Sequence, residues 1–282
     1  MVRSCLTVLA IFLSFPASNA ANVDALEINP LSPTHGQYDL ISVLPHNPEF
    51  FTEGLLFHNG MMLESTGLEG ASYVREIGPE MNITKEFTFP SGLFGEGITV
   101  LNNKIYALTY KAKTGFVLDR DTFDLIDKFN FETTTGEGWG MTTDGHSLIV
   151  SDGSSWILYF DPATMQVQRK IQVLLNDEEV RNVNELEYIN GELLANVWFT
   201  NNVLRIDPNT GRVKEVLNLD HLRNLEHHAK TMRGPLKRDA VMNGIAYNPE
   251  NRHVYVTGKL WDSMFELDLN VPRHHIRRRS QP

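Results

Sequence analysis

Cysteine is almost missing from this chain. The one cysteine among 282 residues, Cys5, lies in an N-terminal stretch that reads as a leader. Disulfides, thiol nucleophiles and Cys-ligated zinc are therefore excluded for everything that follows it. Long apolar runs are missing too. Leu6–Phe15 spans ten residues, about half of the roughly 20 that a bilayer-crossing helix needs. It follows Met1-Val2-Arg3 and precedes Ser18-Asn19-Ala20. A basic start, a short apolar centre and a small-residue ending predict a secretory signal peptide cut after Ala20. Positive charge is also in deficit. Lys and Arg number 25 against 35 Asp and Glu, a net charge of -10 that becomes -11 without Arg3. That balance argues against nucleic acid or an anionic membrane as partner.

What remains after the leader is 262 residues, enough to bury one core without cross-links. The chain is expected to travel the secretory pathway to the extracellular space as a monomer. Asn82-Ile83-Thr84 is its single N-glycosylation sequon, which predicts a surface position for Asn82.

A repeat organises the rest. Five apolar hairpins begin with similar heads: Phe51-Thr-Glu-Gly-Leu, Phe94-Gly-Glu-Gly-Ile, Glu137-Gly-Trp-Gly-Met, Asn182-Val-Asn-Glu-Leu and Val241-Met-Asn-Gly-Ile. Their third residues, Glu53, Glu96, Trp139, Asn184 and Asn243, are spaced 43, 43, 45 and 59 apart. Each head leads a strand, a turn rich in Asn and Gly, and a second strand. A third strand follows in every unit and a fourth in the first four. A period near 43 that holds several strands is the signature of a β-propeller.

The fold expected is therefore all-β, a five-bladed β-propeller. Its fifth unit lacks an outer strand, and Tyr38–Leu44 lies before the first hairpin without a partner. That segment is expected to complete the last blade and close the ring. The domain reading is a leader over 1–20, an extension over 21–36, the propeller over 37–271 and a basic tail over 272–282. Within the 59-residue interval, Leu222–Lys230 predicts a short helix, and Asp177–Arg181 reads as a second.

In a propeller the innermost strands surround one channel, so residues at their starts meet at one mouth. Glu53, Glu96, Trp139, Asn184 and Asn243 form that ring. The ends of the second strands return to the same face and bring Glu64, Tyr110, Asp152, Trp198 and Lys259. Carboxylates, aromatics, amides and one lysine would then converge in a concave place, the default geometry of a binding or active site. Polar blade heads can equally serve only to cap neighbouring strands.

The motifs around these heads resemble the plant-type glutaminyl cyclases, or glutaminyl-peptide cyclotransferases. The stretches that carry the resemblance are FTEGLLF, LESTGLEGASYVR, FGEGITVLNNKIYALTYK, GEGWGMTTDGHSLIVSDGSS, VNELEYINGELLANVWFTNNVLRIDP and VMNGIAYNPENRHVYVTGKLW. They fall in order between Phe51 and Trp261 and touch every one of the five units. The resemblance implies a five-bladed propeller and conversion of N-terminal glutaminyl residues of peptides or proteins to pyroglutamate, with release of ammonia. It implies Glu96, Asn184 and Lys259 as catalytic residues, and Phe51, Phe94, Trp139 and Trp198 as the substrate pocket. Two positions depart from the family pattern. Glu53 stands where FTQGL has glutamine, and Tyr110 where LTW has tryptophan; both are expected to face substrate.

The chemistry fits one carboxyl that takes a proton from the attacking α-amine and returns it to the leaving nitrogen. No cofactor is required, no metal is assigned to the site, and the channel leaves room for a structural cation. Two other functions stand beside this one. A calcium-dependent propeller hydrolase acting on lactones or phosphoesters would coordinate metal with Glu53, Glu96, Asn184 and Asn243. A non-catalytic peptide-binding propeller is the other.

Overall fold

Near-regular spacing of apolar strands and turn residues folds this chain into five sheets set around one axis, each built on four antiparallel strands. The computed structural model describes residues 34–35, 37–231 and 238–269. The leader over 1–20 and the basic tail over 272–282 lie outside them.

Two strands precede the blades, β1 (Thr34–His35) and β2 (Asp39–Pro45). Blade 1 runs from the axis outward as β3 (Thr52–His58), β4 (Met61–Thr66), β5 (Tyr73–Ile77) and β6 (Ile83–Thr88). Blade 2 repeats the order with β7 (Gly95–Leu101), β8 (Lys104–Thr109), β9 (Thr114–Asp119) and β10 (Leu125–Asn130). Blade 3 holds β11 (Met141–Thr143), β12 (Leu148–Ser151), β13 (Trp156–Phe160) and β14 (Val167–Gln172). A small hairpin, β15 (Leu174–Leu175) with β16 (Glu178–Glu179), leads into blade 4. That blade is β17 (Val183–Ile189), β18 (Glu192–Val197), β19 (Asn202–Ile206) and β20 (Val213–Asn218). Helix α1 (Asp220–Thr231) follows, as the Leu222–Lys230 pattern predicts. Blade 5 ends the chain with β21 (Met242–Asn248), β22 (His253–Gly258) and β23 (Ser263–Asp268).

Ring closure takes the predicted form. Strand β2 pairs antiparallel with β23, from Asp39↔Asp268 to Pro45↔Ser263, and supplies the outer strand of blade 5. Strand β1, within the 21–36 extension, pairs parallel with β20 of blade 4. The hairpin turns explain why sequence signalled them. Asn59-Gly60, Asn102-Asn103 and Asn190-Gly191 all have positive φ, with 52° and 75°, 52° and 57°, and 49° and 89° respectively. Those are the residues that adopt the left-handed turn at least cost.

One expectation is corrected here. Asp177–Arg181 forms no helix among the described residues; β15 and β16 make a tight hairpin instead, with Leu174 opposite Glu179. Asn176 and Asp177 both take left-handed φ, 54° and 67°, which suits a two-residue turn and stops a helix from starting.

No blade owns its core. Each of the five buried clusters lies between two neighbouring blades: Leu63 and Ile105 join blades 1 and 2, and Leu108 and Met141 join 2 and 3. Ile149 with Leu186 joins 3 and 4, Leu194 with Ile245 joins 4 and 5, and Leu55 with Met264 joins 5 and 1.

Candidate active site

Four inner strands break register at their heads. The irregularities fall between Thr52 and Gly54, Gly95 and Ile98, Val183 and Leu186, and Met242 and Ile245. A bulge leaves a residue unpaired and re-aims its side chain. Glu53, Glu96, Asn184 and Asn243 lie inside those bulges. Trp139 is two residues before β11 and needs no bulge.

The same heads tie the blades together. Ser65 Oγ donates to Glu96 O at 2.6 Å, Gly97 N to Trp139 O at 2.8 Å, and Ser151 Oγ to Asn184 O at 2.6 Å. Gly244 N donates to Asn196 Oδ1 at 3.1 Å, and Asn243 Nδ2 to Thr52 O at 2.9 Å. Every blade boundary is thus bridged at the level of the site, so the backbone under each functional side chain is held from the neighbouring blade.

A cavity of about 240 Å3 opens at this end of the channel. All nine expected residues line it: Phe51, Glu53, Phe94, Glu96, Tyr110, Trp139, Asn184, Trp198 and Lys259. Aromatic rings build two walls. Phe94 meets Phe51 edge-on at 6.0 Å and Tyr110 at 5.8 Å; across the cavity Trp139 meets Trp198 edge-on at 5.3 Å.

The floor is electrostatic. Glu53 is fully buried and Glu96 is 5 % exposed, and their carboxyls share a hydrogen bond. Two buried carboxylates in contact cannot both keep their charge at modest cost. Lys259 Nζ resolves the contest by binding Glu53 Oε1 at 2.7 Å, and Asn243 Nδ2 stands 3.4 Å from Glu53 Oε2. Burial raises Glu53 above the ordinary carboxyl range, while Lys259 and the hydrogen bond from Glu96 pull it back. Burial also raises Glu96, and the Glu53 charge raises it further, well above that range, against the opposing pull of Lys259. Of the two, Glu53 is the one paired with the ammonium of Lys259 and so favoured to carry charge, and Glu96 the one favoured to hold a proton.

Asn184 is buried, and its Oδ1 has no partner among the described residues. That oxygen is an acceptor open to whatever enters the cavity.

Three residues expected at the mouth stand elsewhere. Glu64 accepts from Thr52 Oγ1 at 2.6 Å and contacts His46 Nε2 at 3.1 Å, buried behind the floor. The true counterpart of Tyr110 in blade 1 is Gly67: Gly67 N bonds Phe51 O as Tyr110 N bonds Phe94 O. Asp152 is turned to the 133–137 loop, where it accepts from Thr135 N at 3.0 Å and Ser154 Oγ at 2.5 Å. Asn243 clasps blade 5 to blade 1 and does not line the cavity.

Two residues escaped sequence reasoning. Glu137 accepts Trp139 Nε1 at 3.0 Å and hydrogen-bonds the Tyr110 hydroxyl. Burial, then the Glu137 charge, holds that phenol above its ordinary pKa, so it stays protonated. Glu137 stands in the Glu-Gly-Trp-Gly head, where a second acid was a readable signal. Glu185 is the other. Glycine follows the head residue in four blades, and a Cβ on Gly97 or Gly140 would lie 2.4 Å from Met141 N or 2.3 Å from Asn184 O. Blade 4 alone has Glu185 there. Its carboxyl reaches across the channel to accept Leu55 N at 3.3 Å and Ile245 N at 2.8 Å.

A metal fits this donor set poorly. The ammonium of Lys259 and a shared proton already neutralise the Glu53–Glu96 pair. Among the described residues no three His, Cys, Asp or Glu groups stand together as a metal site.

The comparisons with known proteins converge on one family. The glutamine cyclotransferase family model matches residues 7–269. A glutaminyl-peptide cyclotransferase of Arabidopsis thaliana is 35 % identical over 268 residues, covering 92 % of this chain and 80 % of the relative. The crystal structure of Myxococcus xanthus glutaminyl cyclase superposes with a TM-score of 0.77 at 29 % identity, covering 86 % of this chain and 100 % of that one. With its length matched almost end to end, this chain belongs to the glutamine cyclotransferase family.

Proposed function

We propose that this protein is a glutaminyl-peptide cyclotransferase, which converts the N-terminal glutaminyl residue of a peptide or protein to pyroglutamate and releases ammonia. The observation that carries the reading is a protonatable carboxyl, Glu96, at the floor of an aromatic slot.

The glutaminyl side chain enters between the Phe51–Phe94–Tyr110 wall and the Trp139–Trp198 wall. Confinement there holds the α-amine against its own side-chain amide, and a five-membered closure then needs little besides orientation. The amine nitrogen bonds to the amide carbon, and the carbon–nitrogen bond of the amide breaks. Glu96 gives its proton to the departing nitrogen and recovers one from the attacking amine, so ammonia leaves and the carboxyl is restored. The N–H groups of Lys259 not engaged by Glu53 face the amide oxygen as charge builds on it, while Asn184 Oδ1, an acceptor without a partner, takes a hydrogen bond from the substrate α-amine and orients it. Glu53 keeps the proton on Glu96, and its own oxygens are occupied by Lys259, Asn243 and Glu96. No cofactor takes part in these steps.

The leader-like residues 1–20 support entry into the secretory pathway. Asn82, exposed beside β6, supports glycosylation there.

The test is ammonia release from a Gln-initiated peptide, with the matching loss of mass, in the presence and absence of a chelator. Release that survives chelation is expected. Metal-dependent turnover of a lactone or phosphoester with no ammonia release from Gln peptides would overturn the reading.

A further inference from the structure

The cavity has three lining residues that the reaction does not use: Leu68, Phe199 and Asp239. Leu68 and Phe199 are large, apolar and exposed, at 40 % and 48 %. Single exposed hydrophobic residues are ordinary on protein surfaces. These two also take left-handed backbone, with φ of 90° and 64°. Such a conformation is strained for a non-glycine residue.

Blade geometry shows what is unusual about them. Both follow the residue whose N–H closes the head of the hairpin, Gly67 in blade 1 and Trp198 in blade 4. Blade 5 has Leu260 at that place, also left-handed at 60°, but Leu260 packs against the core. Leu68 and Phe199 have no such burial to offset the strain. Glycine would adopt either backbone without that steric strain, so the side chains themselves need an explanation.

Hydrogen bonds fix both tips. Leu68 O accepts Ala71 N at 3.0 Å and Ser72 Oγ at 2.8 Å; beside Phe199, Thr200 N and Oγ1 return to Val197 O at 3.0 and 2.8 Å. Phe199 lies on Trp198 with ring centroids 4.2 Å apart and planes 35° from parallel. Blades 4, 5 and 1 are neighbours, so Phe199, Asp239 and Leu68 form one arc of the rim. The opposite arc is charged: Lys111 Nζ lies 3.4 Å from Glu137 Oε1 and 4.6 Å over the Tyr110 ring.

A cavity of about 240 Å3 is smaller than the roughly 300–1,000 Å3 of a drug-sized ligand site. It holds one glutaminyl residue, and the rest of the peptide must leave across the rim. We propose that Leu68 and Phe199 form the subsite for the second residue of the substrate, and that this subsite selects a large apolar side chain. The proposal rests on the cyclotransferase reading and names the peptide class that the enzyme prefers.

The experiment compares kcat/KM for otherwise identical Gln-Phe and Gln-Gly peptides in the wild type and in Phe199→Gly, Leu68→Gly and Phe199→Leu. The wild type should favour Gln-Phe about tenfold, the size expected from partly covering one large side chain. Phe199→Gly should bring the ratio below about threefold, Leu68→Gly should lower it less, and Phe199→Leu should restore most of it. Both glycine variants should melt at or above the wild-type temperature, because glycine relieves the left-handed strain. A wild-type ratio near one, or an unchanged ratio in Phe199→Gly, overturns the subsite while leaving the cyclotransferase reading intact. Failure of every Gln peptide to release ammonia overturns both.

Discussion

A carboxyl that must take a proton from an amine and pass it to a departing nitrogen works best with a pKa near the working pH. Burial alone raises Glu96, and Glu53 raises it further through charge and a hydrogen bond. Lys259 at 2.7 Å from Glu53 keeps the pair from losing its charge altogether. Replacing Glu96 by Gln keeps size and hydrogen bonding but removes the mobile proton. Turnover should fall roughly 10²- to 10⁴-fold with little change in melting temperature. More than half of wild-type turnover in Glu96→Gln would move the proton transfer elsewhere. Glu53→Gln tests the neighbour. It removes the charge that holds Glu96 up, so the limb of the pH–rate profile reporting Glu96 should move to lower pH. Lys259, Glu137 and Tyr110 also face this site and are unchanged in the variant. A profile that stays in place would show that Glu53 does not set the Glu96 proton affinity.

At the scale of the strand, the inner ring is held by carboxyls as much as by its ladders. Glu185 takes Leu55 N and Ile245 N, and Glu187 takes Tyr247 N at 2.9 Å. Burial is the main cause that raises Glu187 from the ordinary 4.5 to about 8. The native state then keeps a proton that the unfolded chain releases above about pH 4.5. Its contribution to stability is full below that pH and is lost progressively as pH rises to about 8. Glu187→Gln removes the titration, so unfolding free energy measured in denaturant should decline less between pH 5 and 8 than in the wild type. Equal slopes for the two proteins would defeat this account. Strand order was legible because turn residues with left-handed preference recur at a nearly constant period. Glu185 was not, although the missing glycine marked it, because a head motif says nothing about which neighbour's N–H groups lie across the channel. Glu64 was misplaced by three residues for a related reason. The Ser65-Thr66-Gly67 end of blade 1 has a glycine where blades 2, 4 and 5 carry Tyr110, Trp198 and Lys259, so alignment by side-chain character slides. The aromatic walls and Glu96 were readable because the resemblance fixed them residue by residue.

The whole molecule stands or falls on closure, because every core cluster is shared between two blades and the last boundary joins the two ends of the chain. Strand β2 carries that boundary. Tyr38, Leu40 and Leu44 pack inward against blade 5 and blade 1 clusters, while Ile41 and Val43 face outward at 49 % and 53 % exposure. Immediately after β2, His46 bolts three segments together. His46 N donates to Asp262 O at 2.9 Å, its Nδ1 meets Trp261 O at 2.8 Å, and its Nε2 meets Glu64 at 3.1 Å. Burial works against a charged imidazole here, yet Glu64 and the Trp261 carbonyl outweigh it and raise the His46 pKa. His46→Ala would leave Glu64 buried without its hydrogen-bonded partner, a loss of about 3–5 kcal/mol by analogy with broken buried pairs. Its melting temperature should fall while the Glu96 chemistry, set by other residues, persists at low temperature. Deleting residues 21–45 goes further, for it removes the outer strand, exposes the β23 edge and opens both flanking clusters. Soluble protein should be lost altogether. A deletion variant that stays soluble with an unchanged melting transition would mean that β23 tolerates an open edge and that the ring is closed by the inner-strand clasps alone.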